Sequence, residues 1–160
     1  MSKNVVVIAI DPDCEKSGVG VVYRDTRQVM TYKHSFADLL HYLRQTKDVG
    51  QDFEVIIEGG WLNKSNWHAT AKKGVQVAAE RGRRTGMNQQ TGILLTEMCE
   101  DMDVHYTVVK PLRKCWRGRD GKITQAELER VTGQKLPRMS QDQRDAVLLA
   151  WVYAGLRLKR

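Results

Sequence analysis

The sequence is poor in cysteine and has no long hydrophobic run. Its three cysteines, Cys14, Cys99 and Cys115, are odd in number and show no CxxC spacing. This pattern argues against a disulfide framework and against a zinc knuckle, and it fits a reducing cytoplasm. The apolar runs are far too short to cross a membrane, so no membrane association is expected.

Repeats, low-complexity tracts and linkers are also missing from the 160 residues. A chain of this length can bury a substantial core as one unit, and we therefore predict a single domain over residues 1–160. The N-terminus leads directly into a strand-like run and lacks a small-residue cleavage site. We interpret it as a strand rather than a signal peptide.

Basic residues are in excess, with 26 Lys and Arg against 19 Asp and Glu, which gives a net charge of +7. A polyanionic partner is consistent with this excess. Many basic proteins bind no nucleic acid, so the choice of partner depends on motifs rather than on charge.

The hydrophobic pattern of the first half predicts sheet. Val5–Asp11 and Phe53–Glu58 are apolar on both faces, which is typical of central strands covered on both sides. Gly18–Arg24 reads as a strand in a hairpin with the first, and Gln28–Lys33 as a third strand. A helix is expected after Ser35, which is a favourable N-cap.

In the second half, helix alternates with strand. Residues 69–102 favour helix, and the glycines between Gly82 and Gly86 favour a break within it. Tyr106–Val109 is a short strand, and Ser140 begins a last helix that is expected to reach about Leu158. The predicted fold is a three-layer α/β arrangement with a mixed five-stranded sheet flanked by helices.

Acidic side chains end two of the predicted strands, Asp11 the first and Glu58 the fourth. A carboxylate at the end of a buried strand is costly to desolvate unless a positive group meets it. If the two strands are parallel neighbours, each acid raises the pKa of the other unless a cation is present. Taken singly, an acid that caps a loop is the simpler interpretation of each.

Asp142 and Asp145 are three residues apart and share one face of the last helix. Ala146, Leu149 and Tyr153 continue that face, so it should pack on the sheet and turn the aspartates inward. Taken singly, Asp142 suits the helix macrodipole and Asp145 suits an ion pair with a neighbouring arginine. Their coincidence with the strand-ending acids favours a joint site.

A set of carboxylate ligands suits Mg²⁺ or Mn²⁺ rather than zinc. Two such ions roughly 3.5–4 Å apart can activate a water and stabilise a leaving oxygen in an in-line displacement. We therefore predict Mg²⁺, for which Mn²⁺ substitutes, and no small-molecule cofactor. In a basic chain this chemistry points to phosphodiester cleavage. The predicted ligands, which are also the catalytic residues, are Asp11, Glu58, Asp142 and Asp145.

The same residues resemble a known family. The runs Ile8-Ala9-Ile10-Asp11-Pro12, Val55-Ile56-Ile57-Glu58 and Asp142-Gln143-Arg144-Asp145-Ala146, with Gly18, resemble the RuvC-type Holliday junction resolvases. The resemblance covers nearly the whole chain and implies the ribonuclease H-like fold, with the four acids holding two Mg²⁺ ions. It also implies a homodimer that cuts four-way DNA junctions symmetrically by hydrolysis.

Further details follow from this resemblance. The stretch Gly86–Gly92 is similar to phage and bacterial relatives, which favours a phage or prophage variant. Trp61 is the closer match to the aromatic wedge that such enzymes place at the junction centre. Lys110 and Lys122 are the candidates for the lysines that bind the scissile phosphate, although the segment between them is not a clean match.

Two basic clusters with interleaved tryptophans predict the DNA-binding surface. Phosphate neutralisation by such clusters gives salt-sensitive affinity, and tryptophans can stack on unpaired bases. The plainer interpretation is solvated charge with tryptophan in the core, but for Trp116 we expect exposure. The predicted DNA-binding residues are Trp61, Lys64, Lys72, Lys73, Arg83, Arg84, Lys110, Arg113, Lys114, Trp116 and Lys122.

Three other functions stay open. An RNA-processing nuclease of the same fold, similar to the YqgF-like proteins, would keep the acids but act on RNA. An actin-like phosphotransferase also opens with strand, Asp, turn and Gly, but it needs a longer chain and a second phosphate loop. A non-catalytic junction-binding protein gains nothing from carboxylates that face a phosphate. We predict a metal-dependent junction-resolving endonuclease.

Overall fold

The structure is a computed structural model that describes residues 5–63 and 74–158. Its strands are β1 (Val6–Asp11), β2 (Ser17–Tyr23), β3 (Val29–His34), β4 (Phe53–Glu58) and β5 (Tyr106–Val109). Its helices are α1 (Phe36–Asp48), α2 (Val75–Asp101), α3 (Gln125–Thr132) and α4 (Gln141–Tyr153). Short 3-10 turns lie at Gly60–Leu62 and Arg119–Gly121.

The five strands form one mixed sheet in the order β3-β2-β1-β4-β5. β1 pairs antiparallel with β2 and parallel with β4, and β5 extends the parallel half beyond β4. The predicted α/β fold class, a mixed five-stranded sheet flanked by helices, is confirmed. β1 and β4 are also parallel neighbours, as the expected proximity of Asp11 and Glu58 requires.

Helices cover both faces of the sheet. Along β1, Val7 and Ala9 belong to the core beneath α3 and α4, whereas Ile8 and Ile10 belong to the core beneath α1 and α2. All four are completely buried. This double burial explains why β1 reads as a continuous apolar run rather than an alternating one.

Two glycines of β2 let α4 lie directly on the sheet. A Cβ on Gly18 would stand 2.4 Å from the backbone carbonyl of Asp142, and one on Gly20 would stand 2.4 Å from the backbone nitrogen of Val147. Gly18 also pairs with Asp11 across the β1–β2 ladder. The close approach therefore brings the first turn of α4 to the end of β1.

Three sequence expectations are wrong in detail. α2 runs without a break through Gly82 and Gly86, because neither takes the positive φ that would end a helix. α4 ends at Tyr153 rather than near Leu158, since Gly155 adopts a φ of 74°. Tyr153 is 38% exposed, so it does not continue the buried face of α4.

The predicted cap of α4 is confirmed. Ser140 caps α4 in a capping box with Gln143, as the sequence predicts. Residues 69–73, which the sequence assigns to helix, lie outside the described residues. Within residues 5–63 and 74–158, no helix is both long and apolar enough to cross a membrane.

Candidate active site

The four predicted acids come together at one edge of the sheet. Asp11 ends β1 and Glu58 ends β4, so both side chains emerge at the same carboxyl edge of two parallel strands. Asp142 and Asp145 lie in the first half of α4, whose first turn contacts Gly18 beside the end of β1. All four line a single cleft with a volume of about 370 Å³.

Asp11 and Glu58 are hydrogen-bonded to each other in the cleft. Burial, followed by the charge of Glu58 and a hydrogen bond to it, raises the pKa of Asp11 well above its ordinary value. Burial also raises the pKa of Glu58, but the hydrogen bond from Asp11 opposes that rise. The hydrogen bond therefore favours a protonated Asp11 beside a charged Glu58.

The two aspartates of α4 have different surroundings. Burial and then the charge of Asp13 raise the pKa of Asp142. Asp145 accepts a 2.8 Å hydrogen bond from Nε2 of Gln141. The adjacent Arg144 is not used for an ion pair with Asp145. It donates to the carbonyl oxygens of Ile123 and Met139 at 3.1 and 2.9 Å.

Lys122 is the cation that meets these acids. Its Nζ lies 3.4 Å from Oδ2 of Asp145, and both side chains are only partly exposed. Burial by itself would lower the pKa of Lys122, but the charges of Asp145 and Asp11 outweigh it, so that the pKa is raised. Lys122 therefore stays protonated and offsets part of the negative charge of the cleft.

The acids fit a divalent metal in chemistry, but they are engaged with other groups. Within residues 5–63 and 74–158, no three His, Cys, Asp or Glu side chains are arranged to enclose an ion. Asp11 is instead hydrogen-bonded to Glu58, and Asp145 is paired with Lys122. Crowded carboxylates whose pKa values are raised are stabilised by an oxygen-preferring cation such as Mg²⁺.

Basic and aromatic residues form the walls of the cleft. Arg113, Lys114 and Lys122 line it, together with Trp61 and Trp116. Trp61 is half-buried and packs against the core beneath α1 and α2. Trp116 is also half-buried, because its ring packs on the core beneath α3 and α4, so the expected free exposure of this residue is wrong.

The other predicted DNA-binding residues that the structure describes do not line the cleft. Lys110 is exposed just after β5 and is not one of the cleft-lining residues that the structure describes. Arg83 forms a 2.7 Å ion pair with Glu80 on the exposed half of α2. Arg84 lies near Asp13 of the β1–β2 turn, at 3.9 Å. Lys64, Lys72 and Lys73 lie outside the described residues.

Five further polar residues that were not predicted from the sequence also line the cleft, namely Asp13, Asn63, Thr85, Asn88 and Gln89. Asp13 stands two residues after Asp11, so the short Asp-Pro-Asp motif was a usable signal. Asn88 and Gln89 belong to the middle of α2, and nothing in their spacing marks them. Their place in the cleft results from the packing of α2 across the sheet edge.

Neither a protein-family model nor a curated protein sequence matches this chain. Among solved structures, the chain is similar to T. thermophilus RuvC in complex with a Holliday junction substrate, with 15% sequence identity and a TM-score of 0.49. The match covers 98% of this chain and 99% of that one. The residues of the cleft, rather than this similarity, carry the functional inference.

Proposed function

We propose that this chain is a metal-dependent, structure-specific endonuclease that cuts four-way DNA junctions by phosphodiester hydrolysis. The observation that carries the proposal is the convergence of four carboxylates on one cleft with basic and aromatic walls. Carboxylates that face each other in a fold are unfavourable without a cation, and carboxylates that face a phosphate need one to bridge them.

Asp11, Glu58, Asp142 and Asp145 would hold two Mg²⁺ ions, or Mn²⁺ in their place. When bound, such ions supply an activated water and stabilise the leaving oxygen. The chain itself orients the acids. Gln141 fixes one oxygen of Asp145 at 2.8 Å, so that the other stays directed toward Lys122 and the cleft.

Lys122 would bind the scissile phosphate, because it is already charged and lies among the acids. A phosphate oxygen can replace Asp145 as its partner through a charge-assisted hydrogen bond. Arg113 and Lys114 line the same cleft and would neutralise the flanking phosphates. Lys110, the other candidate from the sequence, is the weaker one because it lies outside the cleft-lining set.

A branched substrate is favoured over plain duplex by two features. The order and spacing of the acid motifs resemble the junction-resolving family, and Trp61 and Trp116 offer rings that can stack on unpaired bases at a branch. A homodimer would present two such clefts to the two symmetric strands of a junction. A phage or prophage origin is part of the same proposal.

The test is incubation of the purified chain with an end-labelled four-way junction, in Mg²⁺ or in EDTA, beside matched duplex DNA and an RNA–DNA hybrid. We expect paired symmetric nicks that need Mg²⁺ and that spare the duplex. Cleavage of the RNA strand alone would replace the proposal with RNA processing. Tight junction binding without any cleavage would replace it with a structural role.

A further inference from the structure

A five-residue stretch of α2 contacts the segments that follow both strand-ending acids. Asn88 and Gly92 are four residues apart and therefore share one face of the helix. The backbone N–H of Cys14 donates a 2.9 Å hydrogen bond to Oδ1 of Asn88. Cys14 belongs to the β1–β2 turn, three residues after Asp11, so this bond ties the turn to α2.

Gly92 forms a notch that receives Trp61. A Cβ on Gly92 would lie 2.5 and 2.8 Å from two atoms of the Trp61 ring and 3.2 Å from Cγ of Pro12. The first two distances are shorter than real Cβ contacts allow, so the ring rests directly against the helix backbone. Trp61 stands three residues after Glu58, in the 3-10 turn that follows β4.

The notch is local to this part of the helix. Gly82 and Gly86 lie in the same helix, and a Cβ on either would meet no atom within 4 Å. Gly92 is buried, whereas Gly82 and Gly86 are exposed. Of these three glycines, only Gly92 therefore has a contact that a methyl group would disturb.

We propose that Asn88 and Gly92 are positioning residues, and that together they form a seat that fixes the spacing of Asp11 and Glu58. One face of α2 contacts Pro12 and Cys14, which follow Asp11, and Trp61, which follows Glu58. Neither residue needs to touch the reacting atoms. The inference rests on the proposed function, because it assigns the seat to the geometry of that same site.

The primary test compares Gly92→Ala with Gly86→Ala in the full chain labelled with 5-fluorotryptophan. Both variants add one methyl group to α2, but only the first displaces Trp61. We expect the ¹⁹F resonance of Trp61, assigned with Trp61→Phe, to move in Gly92→Ala and to stay fixed in Gly86→Ala. Unchanged Trp116 and Trp151 resonances in both variants would show that the fold is intact.

The functional readouts are Mn²⁺ affinity by calorimetry and single-turnover cleavage of a four-way junction. In Gly92→Ala we expect at least tenfold weaker Mn²⁺ binding and at least tenfold slower cleavage. Junction affinity in EDTA should stay within threefold of the wild type, since the basic walls are unchanged. Gly86→Ala should match the wild type in all three readouts.

The proposal is overturned if Trp61 moves in Gly92→Ala while Mn²⁺ affinity and cleavage stay at wild-type values, or if both glycine variants lose them equally. If Gly92→Ala does not fold, the variant Asn88→Leu tests the proposal instead. It cannot accept the Cys14 hydrogen bond and should weaken Mn²⁺ binding at least threefold, with the exposed Gln90→Ala as its control. Wild-type Mn²⁺ affinity in Asn88→Leu would overturn the seat.

Different experimental results would rule out the seat and the proposed function. If the wild type cuts no nucleic acid but the Mn²⁺ and ¹⁹F patterns follow the expectation, the proposed function is removed and the seat stands. If the wild type cuts junctions and the variants cut equally well, the seat is removed and the proposed function stands.

Discussion

The surroundings of Asp11 favour the binding of a cation in the cleft. Burial and the carboxylates of Glu58, Asp142 and Asp145 all oppose its ionisation and raise its pKa. Buried charged groups are often less stabilising than apolar residues of similar volume. Because the pKa values of Asp11, Glu58 and Asp142 are all raised, a bound cation is the simplest physical reason for the convergence of the acids.

Substitution of Asp11 separates cutting from binding. Asp11→Asn should slow junction cleavage by about 100-fold or more, because it removes a carboxylate that would hold the metal. Junction affinity should be equal or higher, since one negative charge is lost from a site that receives phosphate. Single-turnover cleavage and gel-shift titration measure the two effects. Asp25→Asn, at an exposed position between β2 and β3, is the control, and a parallel loss of binding and cutting would count against the assigned role.

The raised pKa of Asp11 predicts a pH dependence of stability. An acid whose native pKa lies above its ordinary value of 3.8 holds a proton that the unfolded chain has released. The free energy of unfolding therefore falls as the pH rises from about that value through the native pKa. The raised pKa values of Glu58 and Asp142 act in the same direction. Lys122 acts only at alkaline pH, because its ordinary pKa is 10.5.

Urea unfolding of the metal-free protein between pH 4 and 7 measures this effect. We expect the midpoint of the wild type to fall with rising pH and that of Asp11→Asn to fall less steeply. Added Mg²⁺ should raise the wild-type midpoint most at neutral pH, where the acids are most fully ionised. Identical slopes for the two proteins would show that Asp11 does not titrate as described.

At the residue scale, the sequence revealed the acids but not their partners. Asp11, Glu58 and the Asp142–Asp145 pair could be found because strand ends and an i,i+3 spacing are local patterns. The Lys122–Asp145 ion pair and the Asn88–Cys14 hydrogen bond could not, since the second joins residues that are 74 positions apart. Such contacts depend on how elements pack rather than on any local pattern.

At the element scale, the packing of α4 on β2 sets the position of half of the acids. Gly18 and Gly20 remove the side chains that would otherwise separate this helix from the sheet. The sequence predicted both elements, but the closeness of their backbones is visible only in the fold. The prediction for α2 was wrong. Its exposed glycines were expected to break the helix, but α2 continues for 27 residues, or about 40 Å.

Gly20→Ala tests this packing. Its Cβ would meet backbone atoms of Ala146 and Val147 at 2.4–2.5 Å, and backbone cannot move aside as a flexible side chain can. We expect a loss of about 1–3 kcal/mol in the free energy of unfolding. Gly86→Ala should instead gain about 0.5–1 kcal/mol through helix propensity. Urea unfolding with an unchanged m-value measures both, and a Gly20→Ala protein as stable as the wild type would contradict the described contact.

At the scale of the whole molecule, a net charge of +7 surrounds an acidic cleft. On the proposed function, the basic side chains would attract the DNA backbone, and the acids of the cleft would limit close approach of phosphate until a cation is present. Binding should therefore depend on salt and cutting on divalent metal. The excess of basic residues and the four acids are visible in the sequence, whereas which basic side chains line the acidic cleft required the fold.

The salt dependence of junction binding tests the basic walls of the cleft. In EDTA, the logarithm of the association constant should fall linearly with the logarithm of salt concentration. Lys114→Ala, which removes a cation from the cleft, should reduce the slope by about 0.9, as for one lost phosphate contact. Lys135→Ala, at an exposed position outside the cleft lining, should leave the slope unchanged. Equal slopes for Lys114→Ala and the wild type would show that the DNA backbone does not contact this wall of the cleft.

The most direct test of the central claim is single-turnover cleavage of a labelled four-way junction by the wild type and by Asp145→Asn, in Mg²⁺ and in EDTA. Asp145 is the most informative position because it lines the cleft and meets both Gln141 and Lys122. We expect symmetric nicks by the wild type in Mg²⁺ alone, and none by Asp145→Asn although it binds the junction. Metal-independent nicking, or equal cutting by both proteins, would contradict the proposed function.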